Sequence, residues 1–392
     1  MDEAEVQYLN LLEEQPGLVR ALVGLGHVAR ARGKPRLALR YYRAALLAKP
    51  SRTDLKLKAA AQLRKLLRFR EAEQLYRAIL MDQPDHARAR ERLARLPKPE
   101  TSGLPPMERS WLERETFTRA AEWGRNLESL GVCGHYLNLL TLAQDFAHGA
   151  SEEVKRDCIL LRLRKATKIL PLVSDWEEYE HVLKREAAAL PSGGRLGYVP
   201  EQHPGAWRNS VAVTKSQREF VWLRETLSRM SGSTLKEYRR QINKLLRAGA
   251  HVEPIDAANL DLVLACNARW YAGMKAKGKS LLFRARTLWT LENLAMLEPL
   301  GVRHLAVMLD DDVIGYGVAS HLGMSWVAFL YGKGDNEYNV SPYTYHELSR
   351  LYPDRQWINA GDTGGRAGLA WFKEKFTANA GDKQMTLGWI QA

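Results

Sequence analysis

One period constrains this chain more than any other feature. Ala4, Ala38 and Ala72 recur 34 residues apart, and so do Tyr8, Tyr42 and Tyr76, and Pro16, Pro50 and Pro84. Nine positions in step with one period demand a stacked array of identical helical units. A small Ala lets two helices approach closely, a Tyr fills the gap between units, and a Pro ends the second helix of each unit. The pattern reads as one half repeat, two whole repeats and a capping helix over Asp85–Leu96. About three repeats are usually needed for stability, so such an array leans on neighbouring structure.

The length of the period is that of the tetratricopeptide repeat, and Leu25-Gly26 stands where that family has its Leu-Gly pair. The resemblance implies a concave helical surface over residues 1–97 for a protein partner or a second copy of the chain. A docking extension without a ligand fits the same pattern.

At about 100–200 residues per domain, the 392 residues hold two or three domains. A 45% hydrophobic content with 11 Trp and 15 Tyr supplies real cores and excludes a disordered chain. The formal net charge of +13 favours polyanionic partners: nucleic acid, anionic lipid or a phosphorylated substrate. Cys133, Cys158 and Cys266 are odd in number and lack CxxC spacing, which argues against a disulfide framework and a zinc site. The acidic start lacks the apolar run of a signal peptide, and no stretch approaches 18 uninterrupted apolar residues. The expected setting is reducing and cytoplasmic, without a membrane span.

Prolines and small polar residues over 97–106 mark a boundary, and 98–154 reads as a linker with connecting helices around Trp111, Phe117 and Trp123. Strands are expected at Cys158–Arg164, Lys168–Val173 and Arg195–Val199, with a helix at Trp176–Leu190. Helices are expected near 215–230, 234–248, 257–277 and 286–299, and a short strand at His251–Ile255. Three strands follow, Arg303–Leu309, Val313–Leu322 and Trp326–Tyr331, the first two joined by the Asp310-Asp-Asp312 turn. A helix over Pro342–Tyr352, a strand over Trp357–Ala360, a helix over Leu369–Phe376 and a strand over Gln384–Ile390 complete the chain.

A meander followed by helix, strand, helix and strand is the order of a GNAT-like N-acyltransferase. The segment Trp357-Ile-Asn-Ala-Gly-Asp362, the turn Thr363-Gly-Gly365, and Gly368-Leu-Ala-Trp-Phe-Lys-Glu-Lys-Phe376 resemble the C-terminal signature of the FemABX peptidyltransferases. Ser231–Glu253, with Arg247-Ala-Gly-Ala-His-Val252, looks like the matching segment of the phosphatidylglycerol lysyltransferase C-terminal domain. The likeness covers about 155–392. It implies an α + α/β chain: a tetratricopeptide array, then a tandem FemABX-like mixed-sheet module with a degenerate first half at 155–254 and a second half at 255–392. It also implies an acyl group taken from aminoacyl-tRNA as co-substrate, with no cofactor.

On a helix, Lys236, Arg240, Lys244 and Arg247 fall within about 80° of arc, with Arg239 beside them. Leu235, Tyr238, Ile242, Leu245 and Leu246 take the opposite side. One face is thus suited to tracking phosphates, or is an ordinary solvated face. Lys373 lies about 40° from Leu369, on the border of an apolar stripe. There it could hold a terminal phosphate, stabilise an oxyanion, or simply snorkel. Asp362 ends a strand beside glycines, where it could deprotonate an attacking amine or only shape a turn. Tyr343, Tyr345 and His346 open the helix that in acetyltransferases binds the acyl carrier, and a helix start offers free N–H groups to an anion.

Two departures bear on the donor. The Gly-rich pyrophosphate loop of acetyltransferases is missing from Gly332–Ser341, which favours aminoacyl-tRNA over acyl-CoA. The helix after it has no acidic residue in its first turn, where the lysyltransferases carry an Asp. The expected activity is transfer of an aminoacyl group to an amine or hydroxyl on a small molecule, peptide or carrier protein, without a metal. The alternatives are an acyl-CoA N-acyltransferase and a non-catalytic RNA-binding or scaffold protein.

Overall fold

The computed structural model describes residues 2–164, 166–192, 194–200, 213–279, 283–335, 337–363, 366–377 and 384–391. The chain forms two compact units: residues 1–100 with 257–279, and residues 101–256 with 280–392. Among the described residues, no helix is long and apolar enough to cross a membrane.

The first unit begins with helices Asp2–Glu14, Val19–Ala31, Pro35–Ala48, Thr53–Lys65, Phe69–Asp82 and Ala87–Ala94, each packed on the next. The periodic residues are why they stack: Ala38, Tyr42, Ala72 and Tyr76 are fully buried. A Cβ added to Gly26 would stand 2.4 Å from the Tyr42 ring, and one added to Gly24 equally close to Tyr8. Tyr8 and Tyr42 therefore each sit on a bare glycine of a neighbouring helix. The sixth helix starts after Pro84, where the His86 ring accepts the Ala89 amide at 3.2 Å. The helix Leu260–Ala276 belongs with this unit rather than with the sheet, although the sequence reading placed it in the second acyltransferase half. Arg269 donates to the Leu66 carbonyl at 2.8 Å and Asp261 pairs with Arg70 at 2.9 Å.

The second unit is built on β1 (Ser151–Val154), β2 (Cys158–Leu163), β3 (Ala166–Pro171), β4 (Arg195–Pro200), β5 (Val213–Leu223), β6 (His251–Glu253), β7 (Arg303–Leu309), β8 (Asp312–Leu322), β9 (Trp326–Gly334), β10 (Trp357–Asn359) and β11 (Gln384–Gln391). They form one sheet in the order β1-β2-β3-β4-β11-β5-β10-β9-β8-β7-β6. β1 is an edge strand in the stretch expected to be a helical connector. The order contains the same design twice. An antiparallel meander ends in β3 or β9, a helix follows (Trp176–Ala188 or Ser341–Arg350), and the next strand, β4 or β10, returns parallel. β5 then leaves the first copy to pair with β10 of the second, while β11 pairs back to β4 of the first. β5 and β11 run antiparallel between the copies.

The stretch read as a helix over 215–230 is β5 plus a short helix, Arg224–Arg229. Phe220-Val221-Trp222-Leu223 is aromatic and β-branched, and β5 pairs with β11 up to Phe220 and with β10 over Val221–Leu223. That pairing overrides the helical propensity of the preceding polar residues. Helix Ser341–Arg350 lies close on the sheet because β8 and β9 offer glycines beneath it: a Cβ on Gly334 would meet Val340 at 2.0 Å and one on Gly317 would meet Leu348 at 2.5 Å. The connecting helices pack on the same sheet, with Trp111 stacked on Trp289 at 6.3 Å and the Trp123 indole donating to the Thr116 carbonyl at 2.8 Å.

Candidate active site

β9 and β10 pair only from Trp326–Ala328 to Trp357–Asn359. Beyond Asn359 the chain stays hydrogen-bonded to β5, through Ala360 N–H to the Phe220 carbonyl at 2.8 Å, while β9 continues to Gly334 beside β8. The two parallel strands thus part at their carboxyl ends, the place where open mixed sheets commonly bind ligands. A polar cluster is buried there.

Glu219, on β5, is fully buried. Its Oε2 accepts the Asn359 side-chain amide at 2.7 Å and the His135 backbone N–H at 2.8 Å. Its Oε1 has no hydrogen-bond partner among the described residues. Burial pushes the carboxyl up to about 7, against the opposing pull of those two hydrogen bonds. Asn359 is fixed on every side: its amide also donates to the Cys133 carbonyl at 3.0 Å, and its Oδ1 accepts the Gly361 N–H at 2.8 Å. The His135 ring lies 3.2 Å from the Asn359 carbonyl through Nδ1, and burial, then the nearby Lys373, pulls it down to about 3. The ring is therefore neutral. Gly361 has φ +69°, and a Cβ there would also stand 3.0 Å from this ring, so the turn after β10 requires glycine twice over.

Lys373 enters from helix Ala367–Thr377. Its ammonium donates to three carbonyls, those of Ala360, Gly361 (3.1 Å) and Asp362 (2.6 Å). Three donors meet three acceptors, so the side chain clamps the turn after β10 from inside. Burial lowers it to about 8, with Asp362 and Glu219 pulling the other way. The Asp362 side chain, half-buried, lies within 3.4 Å of the Tyr136 hydroxyl. Burial first, then Asp362, raises the Tyr136 phenol well above its ordinary range, which keeps it protonated. The Tyr136 carbonyl takes Lys168 at 2.8 Å, and Lys168 pairs with buried Asp145 at 2.6 Å, which also meets Arg286 at 3.0 Å. Burial lowers Lys168 although Asp145 pulls it up.

Asp362 and Lys373 are brought together here, Lys373 as the clamp on the carbonyl of Asp362. The other expected residues stand apart from this cluster. Tyr343 is buried in the main core. Tyr345 stacks on Phe329 at 5.6 Å and meets Trp222 and Phe372 edge-on or tilted, and burial pushes it up to about 12. His346 turns to the Leu227 carbonyl, 3.0 Å from Nδ1. The turn glycines Gly364 and Gly365 lie outside the described residues.

On helix Lys236–Arg247, residues Lys236, Arg240, Lys244 and Arg247 are all exposed. Arg240 approaches Glu237 at 3.8 Å. Arg239 is not part of that face: its guanidinium donates to the Met230 and Gly232 carbonyls at 2.6 and 2.7 Å, tying down the loop before the helix. Leu246, expected in the core, is 47% exposed, because the buried stripe of Leu235, Tyr238, Ile242 and Leu245 leaves it on the flank. Tyr238 joins this helix to helix Ala367–Thr377, stacking on Phe376 at 5.1 Å. Glu219, His135 and Tyr136 are not among the residues the sequence singles out, and Asn359 stands there only within the Trp357–Asp362 segment. A lone acid before an aromatic run, and the polar pair His135-Tyr136 inside an apolar connector, were the signals available.

No protein-family model and no curated protein sequence matches the chain. Among solved structures, a conserved protein of unknown function from Bacteroides thetaiotaomicron is similar at a TM-score of 0.54 and 14% identity, over 74% of this chain and 99% of that one. The two share a fold. The C-terminal domain of a putative lysylphosphatidylglycerol synthetase from Agrobacterium fabrum is similar at a TM-score of 0.42 and 8% identity, over 69% of this chain and 92% of that one. The L-PGS of Bacillus licheniformis is similar at 0.44 and 11%, over 69% and 90%. The strand order of the second unit and the parting of its parallel pair agree with the meander, helix and returning strand expected from the sequence.

Proposed function

We propose that the second unit is an acyltransferase that moves an aminoacyl group from aminoacyl-tRNA to an amine or hydroxyl acceptor. The observation that carries this reading is the buried acid–amide–ammonium cluster at the point where β9 and β10 part. The FemABX-like residues from Trp357 to Phe376 add to it, since they build that point. An aminoacyl ester is already activated, so positioning and proton management suffice. The acceptor nitrogen attacks the ester carbon, a C–N bond forms, and the C–O bond to the ribose breaks. Asp362 takes the proton from the attacking amine, and the Tyr136 hydroxyl donates one to the departing ribose oxygen. Lys373 holds the Ala360–Asp362 backbone in place rather than touching the substrate. Asn359 and Glu219 fix the turn from below.

An acyl-CoA donor is the second reading. Helix Ser341–Arg350 starts with Pro342 in its first turn and no side-chain cap, so its N–H groups are open to an anion. The deciding experiment incubates the full chain with tRNA charged with labelled amino acids and a set of amine acceptors, and separately with acetyl-CoA. Asp362-dependent loss of ester label into an amide product supports the first reading. Thiol release from acetyl-CoA with no use of charged tRNA replaces it with the second.

A further inference from the structure

The positive charge of the chain is concentrated in one place. The first unit holds 25 of the 58 Lys and Arg but 13 of the 45 Asp and Glu. Its formal net charge is therefore +12, which leaves +1 for the whole second unit. The basic helix of the second unit is thus a local patch on a nearly neutral body.

The acids of the first unit are largely spent internally. Asp54 holds Arg52 and Lys58, Glu71 holds Arg43 and Arg68, Asp82 holds Lys56, and Asp261 holds Arg70. The cations left over recur with the repeat. Arg30, Arg64 and Lys98 are 34 residues apart, and Arg20 and Arg88 are two periods apart. Arg64 is half-buried and the other four are exposed. Lys275, Lys277 and Lys279, at the end of helix Leu260–Ala276, are exposed as well. Among the described residues, none of these eight makes an ion pair. A ladder of unpaired like charges destabilises the unit that carries it unless an external anion answers it.

The chemistry of the ladder selects among polyanions. Of the 25 cations, 16 are Arg, whose planar fork grips phosphate oxygens in pairs. Recognition of an acidic peptide also wants apolar anchor sites. The large apolar side chains exposed in this unit are Val6, Leu9, Leu11, Leu47 and Met81. None lies on Val19–Ala31, Thr53–Lys65 or Ala87–Ala94, the helices that carry Arg20, Arg30, Arg64 and Arg88.

We propose that the first unit binds the phosphodiester backbone of a nucleic acid. The proposal needs no chemical step, so it stands or falls apart from the acyl-transfer reading. The test is fluorescence anisotropy of the full chain with a labelled unstructured 30-nucleotide RNA, the matching DNA and a poly-glutamate peptide, at two salt concentrations. Both nucleic acids should bind, RNA preference over DNA would assign the source to ribose-bearing strands, and affinity should fall by roughly 10-fold or more between about 50 and 200 mM salt. The exposed-residue variants R20E/R88E and K275E/K277E should each weaken binding by at least several-fold with an unchanged melting temperature. The neutral versions R20Q/R88Q and K275Q/K277Q should fall in between. Unchanged affinity in folded charge-reversal variants, or tighter binding to poly-glutamate than to either nucleic acid, overturns the proposal.

Discussion

The Glu219 carboxylate accepts the Asn359 side-chain amide at 2.7 Å through Oε2, while its other oxygen, fully buried, has no partner among the described residues. This pairing stitches β5, from the first copy of the fold, to β10, from the second. It also places an acid near neutrality beneath the turn that carries Asp362. Burial of this carboxyl disfavours its charged form, so the folded group tends to keep its proton.

The stability of the second unit should therefore fall as pH rises through neutrality. The folded Glu219 holds its proton up to about pH 7, whereas the unfolded chain releases it near the ordinary carboxylate value. Below that ordinary value both states are protonated and the group contributes no slope. Between the two, the folded state binds more protons, so each step up in pH costs stability until the folded group has ionised. Melting curves at pH 5 and pH 8 should show a larger drop for the native chain than for Glu219→Gln. Equal drops would mean that Glu219 is ionised throughout.

Lys373→Met should destabilise the second unit by about 2–3 kcal/mol, because it takes the ammonium from the buried Ala360 carbonyl and the half-buried Asp362 carbonyl, while the Gly361 carbonyl keeps the Phe220 N–H at 3.1 Å. Lys373→Arg should not rescue it, since a planar fork cannot converge on three carbonyls around one point. Denaturant unfolding of the two variants measures this. Near-native stability in the Met variant would show that water or another donor serves those carbonyls.

The same residues show what a sequence does and does not disclose. The repeat tyrosines were legible because they themselves recur at one short period, and a partner such as Gly26 for Tyr42 lies within that period. The turn at Gly361-Asp362 and the lysine on the following helix stand out in the sequence because they lie close together, but the grip of that lysine on three backbone carbonyls does not. Glu219 was not legible, because its meaning comes from Asn359, 140 residues further on, and from a strand exchanged between two copies. Arg239 misled for the related reason that a helical wheel gives its angle but not the Met230 and Gly232 carbonyls waiting beside it. Helix Leu260–Ala276 misled because periodicity gives a helix its buried face without saying which unit that face meets.

Gly26→Ala should weaken the first unit by about 1–3 kcal/mol, since the new methyl would stand 2.4 Å from the Tyr42 ring in a close-packed stack. A second substitution, Tyr42→Leu, shrinks the obstructing ring. In a double-mutant cycle read by thermal unfolding, the pair should be more stable than the sum of the single changes. Simple additivity would place the ring and the glycine out of contact.

Asp362→Asn and Tyr136→Phe test the chemistry with little change of shape. Asn keeps the size of Asp362 but cannot accept the proton of the attacking amine, and Phe keeps the ring of Tyr136 but has no proton to give. Each should lower the rate of aminoacyl transfer by roughly 10²–10⁴-fold, the usual range for a lost general acid or base. The melting temperature should hardly move, because Asp362 is only half-buried and Lys373 grips its backbone carbonyl rather than its carboxylate. The two changes should also be non-additive, since the phenol and the carboxylate stand 3.4 Å apart and serve the same proton transfer. Steady-state rates for the singles and the double, measured beside the melting curves, separate the cases. A rate loss that tracks a lowered melting temperature would make Asp362 and Tyr136 supports of the fold, and full activity in both variants would move the chemistry elsewhere along the gap between β9 and β10.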